Sequence, residues 1–241
     1  MSKQQYYLYG LHAVQAALNN PKRKCHGLWA TKEALQSLSI PQPLKVKTTQ
    51  RREIDQLVGA NITHQGVALN LEPLPGVYLE TYLQACPKQT FCVVLDQVTD
   101  PHNIGAILRS ATAFGASALI YPEKNAPDGN NNIIAKVASG ALEHTPLIIV
   151  TNLGRTLETL KQHEFWCTGL DESGQSILQT TPFSQRTAIV LGAEGKGLRR
   201  LTRENCDFLV SLPTEEVFPT LNVSNAAAVA FYEYKRQTMQ G

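Results

Sequence analysis

Helical and strand patterns alternate along the whole chain, but their character changes near residue 75. Ahead of that point the apolar positions come in short, mixed runs. Leu11 to Leu18 has helical spacing, and the basic loop Pro21-Lys22-Arg23-Lys24 follows it. Gly27 to Ala30 predicts a strand, Thr31 caps a short helix running to Leu38, and Leu44 to Thr48 predicts a second strand. Arg51 to Val58 predicts a helix stopped by Gly59, and Gly66 to Leu71 alternates as a strand. Residues 1–72 therefore predict a small α/β domain able to fold alone.

Glu72-Pro73-Leu74-Pro75-Gly76 breaks every pattern, so 73–89 is expected to be a linker carrying a short helix from Tyr78 to Ala85. Residues 90–241 predict a second domain with a steady β-α rhythm. Its apolar strand runs are Phe91–Leu95, Ala118–Tyr121, Leu147–Val150, Phe165–Gly169, Thr187–Leu191 and Phe208–Leu212. Helical segments fall between most of them, at Asn103–Phe114, Ile133–His144, Leu153–His163 and Leu198–Asn205, and a last helix spans Asn225–Arg236. Strands this apolar, followed by helices, predict an α/β fold with a parallel sheet covered on both faces. The polar run Asn125–Asn132 is expected to be a mobile loop, and no internal repeat is present.

Composition adds two constraints. The 241 residues carry a formal net charge of only +2, but residues 1–75 hold nine Lys/Arg against four Asp/Glu, and the remainder thirteen against sixteen. A basic front on a mildly acidic body suits a partner with a phosphate backbone; a solvated lysine-rich face is the alternative. The five cysteines are never spaced C-x-x-C, which argues against a disulfide framework or zinc site and for reduced thiols in the cytoplasm. Neither a signal peptide nor a membrane-spanning run is expected, since no apolar stretch approaches the ~20 residues a membrane helix needs.

In a parallel sheet, ligands gather beyond the carboxyl ends of the strands. Three such ends carry polar clusters. After Phe91–Leu95 comes Asp96-Gln97-Val98-Thr99-Asp100-Pro101-His102-Asn103, where Asn103 is the expected helix cap. Arg109 lies further along that helix among small and apolar residues, a placement that calls for an anion, either a ligand or a structural partner such as Asp96 or Asp100. After Thr187–Leu191 comes Gly192-Ala193-Glu194-Gly195-Lys196-Gly197, whose G-x-x-G-x-G spacing fits neither the dinucleotide fingerprint nor a P-loop. Its glycines serve either close ligand approach or a tight turn. The third is Pro219-Thr220-Leu221-Asn222-Val223-Ser224-Asn225 before the last helix, in which Ser224 or Asn225 could simply be an N-cap.

Taken in order, these three clusters resemble the motifs of the SpoU (TrmH) family of RNA ribose 2′-O-methyltransferases, within the SPOUT class. Asp96 to Arg109 matches the first motif, Ile189 to Gly195 the second, and Leu221 to Ser224 the third. Tyr9-Gly10-Leu11-His12-Ala13-Val14 and His64-Gln65-Gly66 resemble the N-terminal RNA-binding domain of one branch, whose members methylate a guanosine in bacterial 23S rRNA. The resemblance implies S-adenosylmethionine as cofactor, RNA as partner, a homodimer, and a knotted catalytic domain ending in a C-terminal trefoil; no metal is expected, because the leaving group of methyl transfer from a sulfonium departs neutral. Sequence rules alone argue against a knot. By the same resemblance Asn103, Arg109, Glu194 and Asn222 are the active-site residues, and Gly192, Leu212 and Leu221 contact the cofactor. The family usually has serine where Thr220 stands, so this edge of the pocket departs from the pattern.

These residues suggest a division of labour. Asn103 and Asn222 hydrogen-bond the ribose, while Glu194 orients the site and balances the charge of Arg109. A guanidinium is always protonated, which makes Arg109 an anchor for phosphate or alkoxide rather than a base. Lys22, Arg23, Lys24, Arg51 and Arg52 are the candidates for RNA backbone contacts. Competing readings are a tRNA ribose methyltransferase and a non-catalytic ribosome-assembly factor of the same fold.

Overall fold

The computed structural model describes residues 6–124, 127, 131–215, 217 and 220–239. They divide into two compact units. One combines the described residues of Met1–Pro75 and Asn130–His144, and the other those of Gly76–Gly129 and Thr145–Gly241. By sequence pattern the second stretch of the first unit falls inside the second domain; by packing it belongs to the first.

The first unit is built on a four-stranded sheet. Its strands are β1 (Tyr6–Tyr9), β2 (Cys25–Ala30), β3 (Val46–Thr48) and β4 (Val67–Leu71), in the order β1-β4-β2-β3. β4 is antiparallel to β1 and β2, and every one of its residues is buried. Helices α1 (Leu11–Asn19), α2 (Lys32–Gln36) and α3 (Arg51–Val58) follow the predicted segments, with Thr31 capping α2. Ala13, Val14, Ala17 and Leu18 of α1 close a core with Leu28, Leu69 and Ala135. The last of these comes from helix Asn132–Val137. The predicted helix Ile133–His144 is interrupted: Ser139 and Gly140 take φ values of 53° and 96°, and a 3-10 turn, Ala141–Glu143, follows. A Cβ at Gly140 would lie 2.6 Å from that of Ala16, so only glycine lets this turn approach α1.

That turn delivers Glu143 to Arg23. The guanidinium donates from Nη2 at 2.8 Å and from Nε at 3.0 and 3.1 Å, while Asn20 Nδ2 adds a bond at 2.6 Å. Arg23 Nη1 donates to the Glu72 carbonyl at 3.0 Å. The two charged side chains are 1% and 3% exposed. Arg23 is thus a structural residue, and the expectation that it contacts RNA is corrected: its donors are consumed inside the unit. Lys22, Lys24, Arg51 and Arg52 are exposed.

The described residues of the second unit form seven strands: β5 (Thr90–Asp96), β6 (Leu119–Pro122), β7 (Leu147–Val150), β8 (Trp166–Leu170), β9 (Ser176–Ile177), β10 (Arg186–Gly192) and β11 (Phe208–Ser211). Their order is β7-β6-β5-β10-β8-β11-β9, and every pairing is parallel. The helices of this unit are α4 (Leu79–Ala85), α5 (Pro101–Phe114), α7 (Leu153–Gln162), α8 (Arg200–Asn205) and α9 (Val223–Met239), α6 being helix Asn132–Val137 of the first unit. Strand alternation sorts the two faces. Cys92, Val94, Ala188 and Val190 pack with α4 and α7, whereas Phe91 points the other way onto Phe231 and Tyr234 of α9. The strand order turns between β5, which leads outward to β6 and β7, and β10, which leads to β8 and β11. Such a switch opens a crevice at the carboxyl ends of its two strands.

Candidate active site

The register of β5 and β10 sets Asp96 beside Gly192, so the first two polar clusters leave the sheet together. At the end of β5, Asp100 rather than Asn103 caps α5: its carboxylate accepts from the His102 N–H at 2.9 Å, and Pro101 takes the first helical position. Asn103 lies in the first turn, its amide not used in capping. Asp96 is fully buried, and its oxygens accept from Arg199, Nε at 2.6 Å and the backbone N–H at 2.9 Å. Neither carboxylate offered to Arg109 by the sequence is its partner. Arg109 is exposed and forms no ion pair among the described residues, with Glu194 or any other acid, which sets aside the structural-partner alternative and corrects the charge balance expected between it and Glu194.

The glycine loop after β10 closes on itself. Ala193 and Gly197 exchange backbone hydrogen bonds of 3.1 and 2.8 Å, while Gly195 and Gly197 adopt φ values of 74° and 63°. A Cβ at Gly192 would stand 2.2 Å from the Gly197 carbonyl carbon, so glycine there is demanded by the turn itself. The Asp96–Arg199 contact then pins the far end of the loop. Held from both ends, the loop presents Glu194.

The third cluster supplies the other donor. Asn222 Oδ1 accepts from the Ser224 N–H at 2.8 Å and its hydroxyl at 2.6 Å, so Asn222 caps α9, a role the sequence offered to Ser224 or Asn225. With Oδ1 committed, Nδ2 faces outward, 3.2 Å from Asn103 Oδ1 and 3.5 Å from Glu194 Oε2. Asn103 Nδ2 is also 3.5 Å from Glu194 Oε2. These longer contacts lie at the outer limit for hydrogen bonds and leave the groups able to exchange partners. Of the four predicted active-site residues, Asn103, Glu194 and Asn222 converge, while Arg109 lies six positions beyond Asn103 on α5, roughly 9 Å along the helix.

Beside this cluster opens a cavity of about 360 Å³ beyond the ends of β8, β10 and β11. Gly192, Leu212 and Leu221, the three residues predicted for cofactor contact, all line it. Leu170, Leu191, Val210 and Val223 complete an apolar wall, and Asp171, Glu194, Lys196 and Arg203 add charge. Sequence reasoning missed Arg199, Asp171 and Arg203, since nothing local marks a partner 30 or 103 residues away. Thr220 is exposed, while Glu216, Phe218 and Pro219 of the unusual segment lie outside the described residues, as does most of Asn125–Asn132.

Residues 90–232 match the family model of the SpoU rRNA methylase family, and residues 7–76 match that for RNA 2′-O ribose methyltransferase substrate binding. The chain belongs to the SpoU rRNA methylase family. Among its SpoU relatives, the 23S rRNA (guanosine-2′-O-)-methyltransferase RlmB of Pseudomonas putida is 40% identical over 95% of this chain and 96% of its own. The putative TrmH family tRNA/rRNA methyltransferase YacO of Bacillus subtilis is 35% identical over 98% of both chains. The crystal structure of the SpoU methyltransferase AviRb from Streptomyces viridochromogenes, in complex with the cofactor AdoMet, superposes with a TM-score of 0.81. It covers 98% of this chain and 91% of that one at 24% identity, a likeness of fold.

Proposed function

We propose that this SpoU protein transfers a methyl group from S-adenosylmethionine to the ribose 2′-hydroxyl of a guanosine in 23S rRNA. The observation that carries the reading is the convergence of Asn103 and Asn222 on Glu194, which itself lines the cavity. The RlmB relatives support the substrate, because their similarity runs through both units rather than the methylase region alone.

The residues present fit the cofactor. The apolar wall suits an adenine ring, and the tightly closed glycine loop offers backbone groups rather than side chains along one edge. When bound, S-adenosylmethionine supplies a methyl group on a sulfonium that departs as a neutral thioether. The chain's own task is then to align the ribose oxygen, which can contribute several powers of ten in rate. Asn103 and Asn222 donate from Nδ2 to ribose oxygens, and Glu194 accepts the hydrogen bond of the 2′-hydroxyl. Arg109 anchors a phosphate, a role consistent with its exposure. Lys22, Lys24, Arg51 and Arg52 contact the RNA backbone. The proposal includes a cytoplasmic homodimer and a C-terminal trefoil knot; Val229 and Tyr232, 46% and 58% exposed on α9, offer apolar surface for a second copy.

The test is incubation with labelled S-adenosylmethionine and rRNA or tRNA from a strain lacking this gene. Label recovered from 23S rRNA in an alkali-resistant 2′-O-methylated dinucleotide is the expected result. Label in tRNA alone overturns the substrate, and no label in either RNA overturns the activity.

A further inference from the structure

The cavity has a charged pole to which methyl transfer assigns no task. Asp171 follows β8 in a turn where its Oδ1 accepts from the Ser173 N–H at 2.9 Å and the Ser173 hydroxyl at 2.6 Å. Arg203, on α8, donates from Nη2 to Ser173 Oγ at 2.8 Å and places Nε 3.4 Å from Asp171 Oδ2. The Asp171 side chain is 8% exposed, so its acceptors are used internally, whereas that of Arg203 is 40% exposed and lines the cavity. A guanidinium carries five N–H donors. Nε and one on Nη2 are engaged here, and Nη1 has no partner among the described residues.

A cation clamped along one edge with its other edge open is arranged to receive an acceptor with two oxygens. Lys196, the other cation of the cavity, rides an exposed loop tip between two left-handed glycines and has no such support. Holding the guanidinium in place beforehand reduces the ordering cost when a ligand arrives. The pole belongs to β8, one strand further from β5 than β10, so it stands apart from the asparagines that face the ribose.

We propose that Arg203 is the subsite for the α-carboxylate of the cofactor's methionine end, with Asp171 and Ser173 as the residues that position it. This rests on the reading of the cavity as the S-adenosylmethionine pocket. The carboxylate is the only anionic group of that cofactor, three carbons from the sulfur, and the apolar wall has nothing to offer it.

Calorimetric titration separates the two readings. S-Adenosylhomocysteine carries the carboxylate; 5′-methylthioadenosine keeps the nucleoside and thioether but lacks it. Arg203→Met is expected to weaken S-adenosylhomocysteine roughly 10- to 100-fold, the equivalent of losing a charge-assisted hydrogen bond, and to leave 5′-methylthioadenosine within about twofold. Ser173→Ala, which retains the charge but removes a clamp, is expected to give a smaller loss confined to the same ligand. Equal losses for both ligands, or none for either, in variants whose melting is unchanged overturn the carboxylate subsite. If Arg203→Met does not fold, the Ser173→Ala comparison decides alone. A wild-type protein that binds neither compound overturns the pocket reading itself.

Discussion

Arg23 with Glu143 in the first unit and Arg199 with Asp96 in the second are the same pair of functional groups in different surroundings. In the first pair both side chains are withdrawn from water, at 1% and 3% exposure. In the second the carboxylate is fully buried but the guanidinium is 47% exposed. Burying two ions is compensated only by nearly complete hydrogen bonding, and the first pair has it, with Asn20 and the Glu72 carbonyl filling the remaining positions. The second pair spends one carboxylate oxygen on a backbone N–H instead, fixing the loop that bears Glu194 to the strand end that leads to Asn103. A closed pair holds a fold together; a half-open one at a strand end holds a site in register.

The largest effect is expected from Glu143→Ala, which strands a buried guanidinium and should lower unfolding stability by about 3–5 kcal/mol. The two tryptophans, Trp29 on β2 and Trp166 on β8, report the two units separately in urea titrations, and the Trp29 transition should move most. Arg23→Met combined with Glu143→Leu should recover most of the loss, because an uncompensated charge is its cause. A shift under ~1 kcal/mol in the single variant would mean that water already reaches the pair.

The next effect lies at the exposed cluster. Glu194→Gln should reduce methyl transfer by about 100-fold, the scale of removing one preorganised polar contact, while moving both urea midpoints by less than ~0.5 kcal/mol in stability. Near-normal turnover would remove Glu194 from the chemistry.

A pH dependence also separates the units. Burial pushes the thiols of Cys92 and Cys206, both in the second unit, up to about 12 from an ordinary 9.0. An acid whose folded pKa is raised contributes stability that is complete below the unfolded value and lost as pH climbs toward the folded one. Between pH 9 and 12 the second unit should therefore lose stability as pH rises, as each thiol ionises more readily in the unfolded chain. The Trp166 transition should fall faster than that of Trp29 as titrations move from pH 8 to pH 10.5. Parallel shifts would show that the alkaline response is not governed by these thiols.

Much of the second unit was legible because its central strands β5 and β10 are buried on both faces and read as unbroken apolar runs. The first unit was less so. β1 was missed because Tyr6–Tyr9 sets a single leucine among three tyrosines, and its identity as a strand comes from pairing with β4, about sixty residues away. Cap positions were displaced for a similar reason. Asp100, Asn103, Asn222 and Ser224 are all good caps by type, and which one serves depends on what the neighbouring loop leaves free. The motifs Tyr9–Val14 and His64–Gly66 are joined through Gln65 Oε1, which accepts from the Leu11 N–H at 3.0 Å, while within the second motif His64 Nδ1 accepts from the Gly66 N–H at 3.0 Å. Within the candidate site, the converging Asn103, Glu194 and Asn222 were legible as residue types at strand ends. The supporting shell of Arg199, Asp171 and Arg203 was not, because its members become neighbours only through the strand order.

The reach of Glu143 back to Arg23 also has a bearing on how the protein is made. Arg23 leaves the ribosome 120 residues before the carboxylate that neutralises it. At ordinary elongation rates this is an interval of roughly 6 to 24 seconds. During it, β1 to β4 are available to pair and α1 to cover them, but the part of that core supplied by Ala135 of helix Asn132–Val137 is missing. The nascent first unit thus waits, with a charged residue in its future interior, until β5, α5 and β6 of the second unit have already been synthesised.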